Sequence, residues 1–445
     1  MFKNLEVLNK RSLINLTQYI KNIKQENFLI CLFILVIGII SGKLVGILFA
    51  ITLIIISFWR HELALVLIFF SGFLKSIEFF GNLPIDFTVL TVLLLFIISF
   101  ARLIKKEKFS KLHYLDYLIV LQGLLVLLSV VFVSSRVWLN WWDAGRFIGF
   151  NLSLYFGLFV LSAKRKEIIT IVHWILFGIM VVASSAIHNL IFGKISSWHL
   201  TSFGESYSSL GLIIGLGILF LFHKILCFKQ IFNQKIFSFI LYGLLVFILA
   251  FLPSRHILLS LTLTILFAIF LKHLVKRRLL LLSVLLFSLI FYFIGTLFAN
   301  FQGIDIKRTW SYTGVYSASY FDRLEYTKNA IEHFMKNPIF GIGMGEFMYL
   351  YGGKGNYPHN LLLESIVSFG IFGILIFWPA FLFSFQNSIN VLRSQNLKNV
   401  EIVALWFIFF FIDSMFSGSL SDLRTLWLFM GILSILYYSY HRRRK

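Results

Sequence analysis

Three side chains in this sequence carry chemistry that their surroundings do not. Arg255 lies in Leu252-Pro-Ser-Arg-His256 between two apolar stretches, Arg323 opens the run Arg-Leu-Glu-Tyr326, and His359 stands in Tyr357-Pro-His-Asn360 before a long apolar segment. A guanidinium is planar, charged at every relevant pH and able to grip phosphate through paired hydrogen bonds. An imidazole titrates near neutrality and takes or gives a proton. A helix start, where His359 stands, also favours anions. Converging on one face, these groups would suit a lipid diphosphate with a proton transfer beside it. Arg146, Arg308, Glu364 and Asp413 fall at or near the same face and form a second tier of candidates.

Other features point away from common chemistries. Asp305, Asp322, Glu325, Glu332 and Glu346 share one loop, at spacings that suggest no metal-ligand set, and neither metal nor cofactor is expected. The run Phe340-Gly-Ile-Gly-Met-Gly345 superficially resembles a dinucleotide loop, but no strand precedes it. Its glycines more plausibly permit a tight turn or close backbone packing. Cys31 and Cys227 fall near expected cytoplasmic helix ends and read as packing residues.

The elements that must position these residues follow from composition. The 445 residues are 59% hydrophobic, 18% aromatic and 13% charged, with a mean hydropathy of +0.88. Soluble domains carry about 25% charged residues, so a soluble enzyme, a nucleic-acid binder and a disordered chain are excluded. The net charge of +21 has another source, because short cytoplasmic loops collect Lys and Arg. The expected fold is all-α, a polytopic membrane protein with 12–14 transmembrane helices and one long outer loop.

Spans are expected near 28–42, 44–58, 63–80, 87–104, 115–134, 147–163, 168–192, 206–223, 236–252, 256–272, 279–298, 359–386, 400–416 and 425–439. With both termini cytoplasmic, the inner segments hold 27 of the 40 Lys and Arg residues. The chain then divides into a basic N-terminal segment (1–27), transmembrane helices (28–298), a long outer loop (299–358), which the resemblance described below would make periplasmic, C-terminal helices (359–440) and a basic tail (441–445). Within the loop, 322–336 reads as an amphipathic helix, capped by Asp322 or Ser319 and ended by Pro338. Its apolar side is Leu324, Ala330, Ile331, Phe334 and Met335. Trp138, Trp141, Trp142, Trp198, His199 and residues 417–424 read as interfacial.

Residues 254–375 resemble the O-antigen ligase and polymerase family. The resemblance rests on Ser254-Arg255, Arg323 opening a helix, Asn337-Pro-Ile-Phe-Gly-Ile-Gly-Met-Gly345, His359-Asn360-Leu-Leu-Leu-Glu364 and Gly370-Ile-Phe-Gly373. It implies a membrane glycosyltransferase that moves a glycan from undecaprenyl diphosphate to an acceptor hydroxyl at the periplasmic face, without metal or nucleotide. The acceptor would be lipid A–core for a ligase, or a second lipid-linked glycan for a polymerase, with membrane lipids around it and no nucleic acid. Carried over, Arg255 and Arg323 become diphosphate binders and His359 the candidate base. A transporter of lipid-linked glycans is the alternative from another class. Against it, few ionisable residues fall mid-span, where transporters usually keep them.

Overall fold

The computed structural model describes residues 43–104, 113–135, 137–161, 165–192, 200, 207–227, 232–252, 254–272, 278–301, 315–351, 357–394, 397 and 400–441. The first expected span (28–42), Cys31, Trp198, His199, Asp305 and Arg308 lie outside the described residues.

Among the described residues the chain is helical throughout and contains no strand. In lipid every backbone N–H and C=O must find a partner inside its own segment, which leaves the helix as the form open to single apolar segments. The helices are α1 (Lys43–Ser57), α2 (Leu63–Lys75), α3 (Glu78–Gly81), α4 (Phe87–Ile104), α5 (Tyr114–Phe132) and α6 (Val137–Arg146). A π-helical turn (Phe147–Leu152) leads to α7 (Ser153–Leu161), followed by α8 (Arg165–Ile191), α9 (Tyr207–Cys227), α10 (Phe232–Ala250), α11 (Arg255–Lys272) and α12 (Arg278–Phe301). The remainder are α13 (Val315–Lys336), α14 (Glu346–Leu350), α15 (Leu361–Phe369), α16 (Ile371–Arg393), α17 (Glu401–Ser414) and α18 (Arg424–His441).

Among the described residues four helices are long and apolar enough to cross a membrane: Tyr114–Phe132, Glu167–Ile191, Tyr207–Leu226 and Ile371–Arg393. Shorter apolar helices surround them, including Lys43–Ser57, Leu63–Lys75 and Arg424–Tyr437. The chain is an all-α polytopic membrane protein. On α12, Leu282, Leu286, Leu289 and Phe293 form one stripe and are all about 60% exposed or more, as a lipid-facing surface requires.

The bundle is organised around α17. Every residue from Glu401 to Phe410 is buried, so this helix is apolar all round and enclosed by neighbours. It packs against α9, α11, α16 and α18. The indole of Trp406, fully buried, donates to the Leu216 carbonyl of α9 at 3.0 Å, so its polar atom is satisfied.

Two expectations are corrected. The single span expected over 359–386 is broken at Gly370 into α15 and α16. Gly370 has φ +61°, and a Cβ there would stand 2.4 Å from the Ile339 carbonyl oxygen. The Ile371 N–H instead donates to the Pro338 carbonyl at 2.8 Å, so the glycine turn inserts where a straight helix would run. The amphipathic helix begins at Val315, which removes Asp322 and Ser319 as caps, though it does stop just before Pro338. Its docked stripe also differs. Tyr326 and Ala330 pack against Phe347, Val367 and Leu363, whereas Leu324, Ile331 and Met335 are 50–71% exposed. Small Ala330 lets the helix backbone approach α15, a contact that the bulkier stripe would prevent.

Candidate functional site

The connection after α17, residues 415–423, gathers most of the candidate residues. At its root, Asp413 on α17 pairs with His256 in the first turn of α11, with Nδ1 and Oδ1 2.7 Å apart. The Asp413 carbonyl then accepts the N–H groups of Phe416 and Ser417, each at 2.9 Å, which bends the chain out of the helix. The Phe416 carbonyl accepts Nη1 of Arg323 at 3.0 Å, and the Met415 carbonyl accepts Nδ2 of Asn360 at 3.3 Å. The Gly418 N–H donates to the Tyr357 hydroxyl at 3.3 Å.

The far half of the connection is held as firmly. Glu364 is buried, and its carboxylate accepts the Ser419 hydroxyl at 3.1 Å and the Leu420 N–H at 2.9 Å. Asn151, in the π-helical turn, donates to the Leu420 carbonyl at 2.7 Å. Arg146 forms ion pairs with Asp422 and, at 3.6 Å, with Asp143. A small cleft beside Tyr357 is lined by Asp143, Glu364, Ser419 and Ser421.

His359 sits at the edge of this assembly, just before α15. Asn360 is the N-cap of α15 and its side chain accepts the Leu363 N–H at 3.0 Å, so the histidine is delivered by a well-formed helix start. Its backbone is left-handed, with φ +53°, a conformation disfavoured for a side chain of this size. The ring lies between Tyr357, at 4.1 Å between centroids, and Tyr326 of α13, at 6.2 Å. Nδ1 is buried without a hydrogen-bond partner among the described residues. Burial, and then the charges of Arg323 and His256, press its pKa down to about 4, so the ring is neutral at physiological pH.

Burial likewise raises the Tyr357 phenol and, with Asp143 nearby, pushes Tyr349 up to about 12. Both hydroxyls keep their protons near neutrality. His333, on the docked stripe of α13, is lowered by burial and by Lys336, and its Nε2 lies 3.0 Å from the Tyr351 hydroxyl.

The glycine run does structural work. Gly341, Gly343 and Gly345 all have positive φ. The N–H groups of Ile342 and Gly343 donate to the carbonyls of Val367 and Ser368 at 2.9 and 3.0 Å. Those donors are therefore spent on the end of α15, as close packing requires, and are not turned toward a ligand.

Comparison with known proteins matches residues 243–378 to the family described as O-antigen ligase. Over this segment the chain is similar to that family. The match supports the O-antigen ligase and polymerase family that the motifs resemble. No curated protein gives a significant match.

The matched segment contains Arg255, Arg308, Arg323, His359 and Glu364, while Arg146 and Asp413 lie outside it. The structure brings Arg323, His359, Glu364 and Asp413 onto the one connection, and Arg146 onto its far end. Arg255 is half-buried beside His256 at the start of α11, and Arg308 lies outside the described residues. Among the described residues no group of His, Cys, Asp and Glu is arranged to hold a metal ion. Sequence reasoning missed His256 and Tyr326, and read residues 417–424 only as an interfacial segment. The signal for His256 was present in the polar Ser-Arg-His256 triplet between apolar stretches. Nothing local announces that the carbonyls of Met415 and Phe416 are acceptors for Asn360 and Arg323.

Proposed function

We propose that the protein is an O-antigen ligase-type glycosyltransferase of the bacterial inner membrane, with both termini cytoplasmic and the site at the periplasmic face. The donor is a glycan on undecaprenyl diphosphate and the acceptor a hydroxyl of lipid A–core. The observation that carries this reading is the neutral, half-buried His359 with an open Nδ1 beside Arg323, in a domain that matches the O-antigen ligase family.

Arg255 and Arg323 hold the diphosphate. Only Nη1 of Arg323 is engaged by Phe416, which leaves further donors of the guanidinium fork for phosphate oxygens. In the transfer step the acceptor oxygen bonds to the anomeric carbon as the carbon–oxygen bond to the diphosphate breaks. The leaving diphosphate keeps that electron pair, and its charge develops against the two arginines. His359 takes the proton of the acceptor hydroxyl. A base held near 4 would be weak, but the arriving diphosphate is anionic and offsets the cationic field that depresses it. The sugar–diphosphate bond is already activated, so the proposed mechanism is metal-independent and routes no step through a cofactor.

The test is deletion of the gene, with surface glycolipid run on a gel beside the lipid-linked pool. Long glycan chains retained on undecaprenyl diphosphate and absent from lipid A–core are the expected result. An acceptor that carries one repeat unit would instead assign a polymerase, and an unchanged ladder would remove both enzyme readings.

A further inference from the structure

The connection that gathers the candidate residues hangs on one buried pair. The side chains of His256 and Asp413 are 10% and 4% exposed. The other ring nitrogen, Nε2, lies 2.9 Å from the Ser254 hydroxyl and 3.2 Å from that of Ser208. Both nitrogens are engaged, so the ring is tied to α9, to the entry of α11 and to α17 at once. Ser260, one turn further along α11, adds a contact of 3.5 Å to the same Asp413 oxygen.

From this pair, direct contacts run to the reacting groups. The Asp413 carbonyl holds the N–H groups of Phe416 and Ser417, and the carbonyls of Phe416 and Met415 hold Arg323 and Asn360. Asn360 is bonded to His359 in the chain and caps the helix that follows it. Arg255 is the neighbour of His256 in the first turn of α11.

We propose that His256 is a positioning residue for the transfer reaction: with Asp413 it fixes the 415–418 turn, and that turn sets the separation between the Arg323 guanidinium and the His359 imidazole. The inference rests on the glycan-transfer reading above and adds a residue to it. A buried, fully hydrogen-bonded polar pair selects one geometry, because any arrangement that leaves either group unpaired is costly. Misplacement of a reacting group by about 1 Å can cost about 10²-fold in rate. Electrostatics adds a second readout. His359 is faced by Arg323 from α13, by His256 from α11 with Asp413 behind it on α17, and by the Tyr326 and Tyr357 rings, with Glu364 on the helix that follows it. Of these, His256 and Arg323 oppose protonation of the ring.

The experiment uses the full-length protein in lipid nanodiscs, with undecaprenyl-diphosphate-linked glycan from the deletion strain as donor and lipid A–core as acceptor. His256→Gln is expected to lower kcat about 10²-fold with KM for acceptor within about twofold, because binding groups remain while their alignment is lost. The acidic limb of its kcat profile should move to higher pH, since His359 loses one opposing charge. Asp413→Asn, which keeps the side-chain shape, should show the same split, and it carries the test if His256→Gln fails to fold. Wild-type kcat in both variants, a rise in KM alone, or a lowered kcat with an unmoved acidic limb would overturn the proposal. If the wild-type protein itself transfers nothing, the functional reading fails and this inference with it; an active wild type with an equally active His256→Gln removes the inference alone.

Discussion

The central helix α17 is held at both ends by a histidine–carboxylate pair, and the two pairs differ in what surrounds them. At one end His223 of α9 lies 2.9 Å from Glu401, with both side chains about 5% exposed or less. At the other end, about 18 Å away at 1.5 Å per residue, His256 lies 2.7 Å from Asp413. The chemistry is nearly the same. Past Asp413, however, the chain leaves the helix and offers free carbonyls to Arg323 and Asn360, with His359 alongside. Glu401 instead begins a helix whose next nine residues are all buried apolar side chains. A buried histidine–carboxylate pair is thus not a site in itself. It becomes part of one where the adjoining backbone has unsatisfied acceptors and a reactive group stands within reach.

Breaking one side of this contrast at a time gives graded outcomes. The largest effect is expected at the open end: His359→Ala should lower the transfer rate by about 10²–10⁴-fold, the range for loss of a general base. The protein should still insert and express, as a transfer assay on equal amounts of purified protein would report; an unchanged rate would dissociate the ring from the chemistry. At the closed end, Glu401→Ala should act on the fold. Removing one partner of a buried pair costs about 3–5 kcal/mol, visible as a lower Tm, whereas kcat per folded molecule should stay near that of wild type. A loss of kcat at undiminished Tm would erase the distinction between the two ends.

A smaller loss is expected where the site is scaffolded. Gly341 has φ +70°, and a Cβ there would stand 2.5 Å from the Ser368 carbonyl carbon. Gly341→Ala should therefore cost about 1–3 kcal/mol of backbone strain, with Tm falling while KM changes little. The smallest effect is the pH response of the wild type. His359 is held down to about 4, so it is already deprotonated at pH 7 and remains so near pH 5. The ratio kcat/KM, which reports the free enzyme, should be nearly flat across that interval and fall only as the pH approaches 4; kcat reports the complex. A kcat limb near 6.5, the ordinary histidine value, would mean that bound diphosphate restores the ring's basicity almost fully.

Parts of this site were legible in the linear sequence. Arg323 and His359 stand out because charged or titratable groups beside apolar spans are costly and seldom without purpose. The glycine run was readable as a close-packing turn, since several closely spaced glycines favour positive φ, and the structure uses them so. The docked stripe of α13 was only partly legible. Ala330 was expected on the apolar side and is buried, but Leu324, Ile331 and Met335 are exposed and Tyr326 docks in their place, because shape at the α15 contact outweighs side-chain hydrophobicity. Asp413 was a candidate, but its partner His256 is 157 residues away, and no local pattern announces that the two meet.

The sequence by itself determined the solvent and the class of fold. A chain that is 59% hydrophobic and 13% charged cannot cover itself with a wet surface, and in lipid an apolar segment must satisfy its own backbone as a helix. It also determined which side chains are capable of phosphate binding and proton transfer, because those capacities belong to residue types. Only the tertiary structure decided which of them meet. The break at Gly370, the bend after Ser414 and the approach of α11 to α17 depend on backbone contacts between segments far apart in the chain. Such contacts are set by packing across the whole bundle, and no periodicity within one segment encodes them.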